Sequence, residues 1–182
     1  MRTVILIIFS FVLLQELGAQ KLVSRNTYIW FNATTPLEDI VAHNRQAVSI
    51  LDPQAGTIAF NLLIKSFEFK VKLMQEHFNE NYLESDKYPK SNFNGTITNN
   101  SEVDYKKDGI YNVKVSGDLT IHNVTHQVTA PGTIEVKNGK VKAVSKFIVK
   151  PADYNITIPS VVENKIAKEV EVNVEAAYEE NK

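Results

Sequence analysis

Along most of the chain apolar and polar residues alternate with a period of two, the spacing that gives a strand one buried face and one wet face. The run Thr27 to Thr34, TYIWFNAT, is rich in aromatic and β-branched residues and predicts the first strand. Asn44 to Leu51 predicts a weaker second strand, closed by a Pro- and Gly-containing turn from Asp52 to Gly56. Thr57 to Ile64 follows, with Ile58, Phe60, Leu62 and Ile64 on one face. Asn92 to Thr98 predicts a fourth strand, with Asn94-Gly95 read as a bulge because the flanking runs are too short for a hairpin. The clearest alternation sets Tyr111, Val113, Val115, Gly117, Leu119 and Ile121 against Asn112, Lys114, Ser116, Asp118, Thr120 and His122. Val124 to Val136 and Lys140 to Val149 alternate again around Asn138-Gly139, a strong type I′ hairpin signal, and Lys168 to Tyr178 makes an eighth strand.

One long passage breaks this rhythm. Between Leu73 and Pro89 the period becomes helical, since Val71, Met74, Phe78 and Tyr82 fall three or four apart while Gln75, Glu76, Asn79 and Glu80 take the other side. The Tyr88-Pro89 pair ends the helix, because proline disfavours the helical conformation in the residue before it. The polar stretch Asn99 to Asp108 is expected to be a mobile loop.

Eight amphipathic antiparallel strands and one amphipathic α-helix after the third strand suit a closed barrel, because closure removes exposed strand edges. A two-sheet sandwich is the alternative. An eight-stranded barrel either fills itself with side chains or holds one small apolar ligand. Gly117, in the middle of an inward apolar row, is expected to leave room. The aromatic and aliphatic residues Phe60, Leu62, Met74, Phe78, Tyr82, Phe93, Val113, Val115, Leu119 and Phe147 are the candidates to line a lumen, with a plain core as the competing reading.

Composition narrows the function classes. Residues 1–19 read as a removable signal peptide, with Arg2, the apolar run Val4 to Leu14 and small residues before Gln20, leaving 20–182 as one domain. The run falls short of the roughly 20 residues that span a bilayer, so no integral span is expected in the mature chain. Without Arg2 and Glu16 the chain keeps 19 basic and 20 acidic residues, a balance that argues against nucleic acid as a partner. There is no cysteine, so neither a disulfide nor a lipoprotein anchor is available, and a periplasmic or secreted location is expected.

Several blocks then carry a resemblance. His77, Asn81-Tyr82-Leu83, Lys87-Tyr88-Pro89 leading to Phe93, Gly117-Asp118-Leu119-Thr120-Ile121, Asn123-Val124-Thr125 and Asp153-Tyr154-Asn155-Ile156 occur in an order that resembles the YceI-like, polyisoprenoid-binding, lipocalin-like family. The stretch Asp39 to Leu51 lacks the Gly-x-Phe and Phe-x-Gly elements usual there. The resemblance implies an exported eight-stranded barrel with the helix at its mouth, holding an isoprenoid or other amphiphilic lipid. It also implies that His77 is a polar contact at the mouth.

No catalytic residue is expected. There is no G-x-S-x-G elbow, no glycine loop for phosphates, and Glu76, Glu80, Glu84 and Asp86 read as a solvated helix face. His122 and His126 flank a turn between strands, so their spacing does not converge on a metal, and they read as a surface pair. His43 falls in an unpatterned stretch. The expectation is a protein without enzyme activity, metal or cofactor that sequesters or carries a lipid; the alternative is a structural or interaction module of the cell envelope with a filled core.

Overall fold

A computed structural model describes residues 20–180. The expected signal segment, 1–19, lies outside them. The elements are β1 (Leu22–Asn32), β2 (Val41–Asp52), β3 (Thr57–Leu63), β4 (Glu68–Phe69), α1 (Lys72–His77) with a π-helical turn (Phe78–Tyr82), β5 (Lys90–Ile97), β6 (Gly109–Ile121), β7 (Val124–Lys137), β8 (Lys140–Val149) and β9 (Val170–Glu180). Eight of these strands run antiparallel in the order β1-β9-β8-β7-β6-β5-β3-β2, and β2 pairs back onto β1. The sheet is therefore a closed eight-stranded barrel, as the patterning predicts, and not a sandwich. The two-residue β4 adds a short ladder to β2, with Ala42 opposite Phe69 and His43 opposite Glu68.

Each predicted strand is present, and the first two start earlier than the alternation shows. β1 begins at Leu22 because its pairing shifts register between Ser24 and Thr27 against β2, and between Val23 and Tyr28 against β9. Extra residues at such bulges flip the side chains to the other face, so the ladder continues where the period-two pattern is lost. A second shift sets Thr27 opposite Ala47 but Ile29 opposite Asn44, and it hides the start of β2 at Val41 in the same way.

Asn94-Gly95 is not a bulge. β5 keeps unbroken register through both residues, with Gly95 opposite Ile58 of β3 on one side and Gly117 of β6 on the other. A Cβ on Gly117 would overlap the Asn94 carbonyl oxygen and the Gly95 Cα, and one on Gly95 would come within 2.6 Å of the Ser116 carbonyl oxygen. The paired glycines let β5 and β6 approach closely, so the room left by Gly117 is occupied by β5 backbone.

The stretch Asn99 to Asp108 is also more ordered than its polarity suggests. Its side chains supply the bonds that its backbone cannot make alone: Asn99 bonds the Lys114 amide (3.0 Å) and the Asn112 carbonyl (3.0 Å), and Asn100 donates to the Pro53 carbonyl (2.8 Å). Val103 is thereby buried and Tyr105 packs on the core. Together with Leu51, Val136, Val141 and Tyr178 these residues fill the lower end of the barrel. At the other end stand the β1–β2 loop, α1, the β6–β7 turn and the passage from Pro151 to Glu169.

Because the neighbour of Gly117 is backbone, which cannot swing away as a flexible side chain can, Gly117→Ala should lower stability by about 1–3 kcal/mol. Urea unfolding should show the fall in midpoint with unchanged slope; a midpoint equal to that of the parent would remove the close approach as the reason for glycine here.

Candidate functional site

The barrel encloses a cavity of about 380 Å³. Its wall is almost wholly apolar, and every barrel strand except β2 contributes to it. The sequence-derived candidates all stand on this wall: Phe60 and Leu62 from β3, Met74 and His77 from α1, Phe78 and Tyr82 from the π-helical turn, Phe93 from β5, Val113, Val115 and Leu119 from β6, and Phe147 from β8. The alternation explains this directly, since residues two apart on each strand share the inward face. His77 is exposed as well as wall-lining, so it sits where the cavity meets solvent. Among the described residues, the acidic and basic side chains on the wall besides His77 are Glu38 and Lys165, both in segments over the mouth.

The lid differs in detail from a simple amphipathic helix. α1 spans only six residues with no side-chain N-cap, too short to be stable on its own propensity, so tertiary contacts must hold it. The principal one is Phe78, whose ring centroid lies 5.6 Å from Phe31, 5.6 Å from Phe67 and 5.0 Å from Phe69. A π-helical turn places it there, closed by the Leu83 amide on the Phe78 carbonyl (2.9 Å). Val71, expected on the buried seam, precedes α1 in extended conformation and is 45% exposed. Gln75 and Asn79, expected in solvent, are half-buried: Gln75 accepts from the Phe69 amide (3.3 Å), and Asn79 donates to the Gln75 carbonyl (2.8 Å). Val71 and Gln75 precede the π turn, so the extended N-cap and the bond from the Phe69 amide set their exposure, while Asn79 lies within the turn itself.

Both ends of the lid excursion are fastened to the barrel. The Ile64 amide donates to the Pro89 carbonyl (2.9 Å), and fully buried Asn44 donates to the Leu63 carbonyl (3.2 Å). At the exit Glu84 takes a left-handed backbone (φ 41°) and its carboxylate meets His122 Nε2 at 2.8 Å. His122 Nδ1 lies 3.2 Å from the Tyr154 carbonyl. Both partners are acceptors, so the ring fills both bonds only when it carries two protons. With a side chain 9% exposed, His122 is a part-buried tie between segments rather than a surface residue. His126 Nε2, on the outside, bonds the Asp153 carbonyl (2.7 Å). The two histidines thus hold the β6–β7 turn to the Pro151–Tyr154 turn, and among the described residues no cluster has the makings of a metal site.

Some wall residues escape the sequence pattern. Ile29 and Phe31 belong to an inward row displaced by the bulges of β1, Phe69 comes from a strand of two residues, and Phe67 directly precedes that strand. Ile156, Ile158, Val162 and Ile166 reach the wall from a stretch with little regular structure, where only their apolar character gave a signal. His43 lies on the outer face, where it bonds the Tyr28 hydroxyl (2.8 Å); Tyr28 stacks on Trp30 (4.5 Å) and carries Arg45 over its ring (4.0 Å).

A closed antiparallel barrel with an apolar cavity under a helical lid defines a lipocalin-like fold. Residues 25–178 match the YceI-like domain, and the chain belongs to that family. Among solved structures it is similar to a polyisoprenoid binding domain from Saccharophagus degradans implicated in plant cell wall breakdown, at TM-score 0.76 and 14% identity over 90% of this chain and 99% of that one. It is also similar to Burkholderia cenocepacia BcnA (TM-score 0.69, 15% identity, 83% and 95% covered). A Campylobacter jejuni YCEI protein follows at TM-score 0.58 and 15% identity, covering 77% of this chain and 85% of that one. Curated protein sequences give no match.

The lower end of the barrel carries a testable electrostatic signature. Burial pushes the Tyr105 phenol up to about 12 from its ordinary 10, and burial raises Tyr178 further still, against the opposing effect of its 2.6 Å bond to Ser49. Unfolding lets these phenols ionise near 10 while the folded ones stay neutral, so the unfolded state binds fewer protons in that window. Stability should therefore hold below about pH 10 and fall towards pH 12. Urea midpoints should show the fall, with a shallower one in Tyr105→Phe; the same fall in parent and variant would mean that Tyr105 does not contribute.

Proposed function

We propose that this protein binds one isoprenoid or similar amphiphilic lipid in the barrel lumen and sequesters or carries it outside the cytoplasm. The observation that carries the reading is the cavity itself: about 380 Å³ of space walled by apolar side chains beneath a lid held by a four-phenylalanine cluster. Such a wall recognises chain length and shape through burial of methylenes, and the few polar groups at the mouth orient one end. His77, Tyr82, Glu38 and Lys165 are the mouth groups in position to do so. The name of the Saccharophagus degradans relative, a polyisoprenoid binding domain, agrees with this choice of ligand.

Export is supported by the sequence pattern of residues 1–19. Among the described residues no helix is long and apolar enough to cross a membrane. A role without catalysis is supported by the wall hydroxyls of Ser91 and Ser145, which donate to the Thr120 and Pro131 carbonyls rather than to a base.

Protein purified from its native host and examined by native mass spectrometry should carry one lipid per chain. Phe78→Asp, which places a carboxylate on the wall and among Phe31, Phe67 and Phe69, should lose that adduct while circular dichroism still reports the barrel. A parent protein that is reproducibly empty, or a Phe78→Asp variant that retains its lipid, would overturn the proposal.

A further inference from the structure

We infer that the rim formed by the β1–β2 loop and the start of the lid docks on a lipid bilayer, with Leu37, Val71 and Leu73 inserted among the acyl chains and Trp30 at the head-group level. This rests on the lipid-binding reading above, since a lipid then passes between bilayer and lumen without crossing water. Leu37 is 67% exposed, Val71 45% and Leu73 57%. Exposed apolar residues scattered singly are ordinary, but these are gathered on one edge. β4 pairs with the first residues of β2, which brings the chain from Lys70 to Leu73 beside the β1–β2 loop. Glu38 and Met74, the chain neighbours of Leu37 and Leu73, both line the cavity, so the exposed residues border its opening.

What surrounds these residues specifies the partner. Val71 and Leu73 alternate with exposed Lys70 and Lys72, whose long stems let the ammonium groups reach lipid phosphates while the apolar neighbours insert. Glu68 and Glu76 are exposed on either side, so attraction to anionic lipid is moderate and apolar insertion contributes more. Below the rim, on the outer face, Tyr28 and Trp30 stack at 4.5 Å, and Arg45 lies over the Tyr28 ring at 4.0 Å. Trp30 pairs with His43, and His43 with Glu68, in one row across β1, β2 and β4. Trp30 is two residues from the end of β1 at Asn32, hence about 7 Å or less below it. Amphipathic rings at that depth, with apolar tips above them and cations between, suit the boundary between head groups and acyl chains. A protein partner would favour an apolar centre with its charges at the edge, whereas here lysines separate the apolar residues.

Trp30 is the only tryptophan of the chain, so its fluorescence reports this surface alone. The purified protein is mixed with vesicles of phosphatidylcholine and phosphatidylglycerol in equal parts, with brominated acyl chains. It should float with the vesicles, and Trp30 should be quenched. With circular dichroism unchanged, Leu37→Asp and Leu73→Asp should each weaken flotation by roughly tenfold or more. Ile110→Asp, 72% exposed at the lower end of the barrel, should float as the parent does. Failure of the parent to float, or equal flotation of all three variants, would overturn the docking surface. So would an unquenched Trp30 in a dimer that Leu73→Asp dissociates, which would give the rim to a second copy of the chain. The lipid adduct described above is measured without vesicles, and neither Leu37 nor Leu73 lines the cavity, so either reading can fail alone.

Discussion

β1 is hydrogen-bonded along both edges, to β2 and to β9, and the rest of the structure depends on that closure. Once the sheet has no free edge, each strand must turn one face inward, and eight inward faces enclose a space near the limit of what side chains can fill. Whether it is filled is then decided residue by residue. At the lower end Leu51, Val136, Val141 and Tyr178 meet and exclude everything else. Towards the mouth the aromatic wall stands apart, and no residue of the described chain occupies the gap.

The lid follows from the same constraint. A barrel whose upper end is lined by Phe31, Phe60 and Phe147 would expose apolar surface, and Phe78 covers part of it by packing on Phe31, Phe67 and Phe69. The helix that brings Phe78 there is weak in itself, so its position is specified by ties at both ends: the Ile64–Pro89 bond at the base and the Glu84–His122–Tyr154 series at the exit. Such a cover can be displaced without unpairing any barrel strand, because its hydrogen bonds to the barrel are few and local. In the lipid-binding function proposed above, local displacement of this cover is the route for loading and release.

Period-two alternation reports a strand only where the register is regular, and this governs what could be read from the residues alone. The β6–β7–β8 meander and β9 were legible because their pairing is unbroken. The beginnings of β1 and β2 were not, because bulges exchange the faces. The lumen candidates follow from inward parity and all reach the wall, whereas Phe67, Phe69 and the residues from Ile156 to Ile166 lie in elements too short or irregular to show a period. The polarity of Asn99 to Asp108 predicts a mobile loop, but its asparagines bond the neighbouring backbone and Tyr105 and so seat Val103 and Tyr105. The π-helical turn that contains Asn79 leaves no mark in composition, and neither does the hydrogen bond from the Phe69 amide that holds Gln75 out of the solvent.

The central claim is that the lumen beneath Phe78 is where the lipid lies. A crystal structure of the protein saturated with a fifteen-carbon prenol tests it most directly. The account predicts continuous density from the mouth, near His77, past Phe78 and Phe93 to the level of Ile134, with Tyr178 undisturbed below it. Density on the outer face with an unchanged, empty lumen would contradict it.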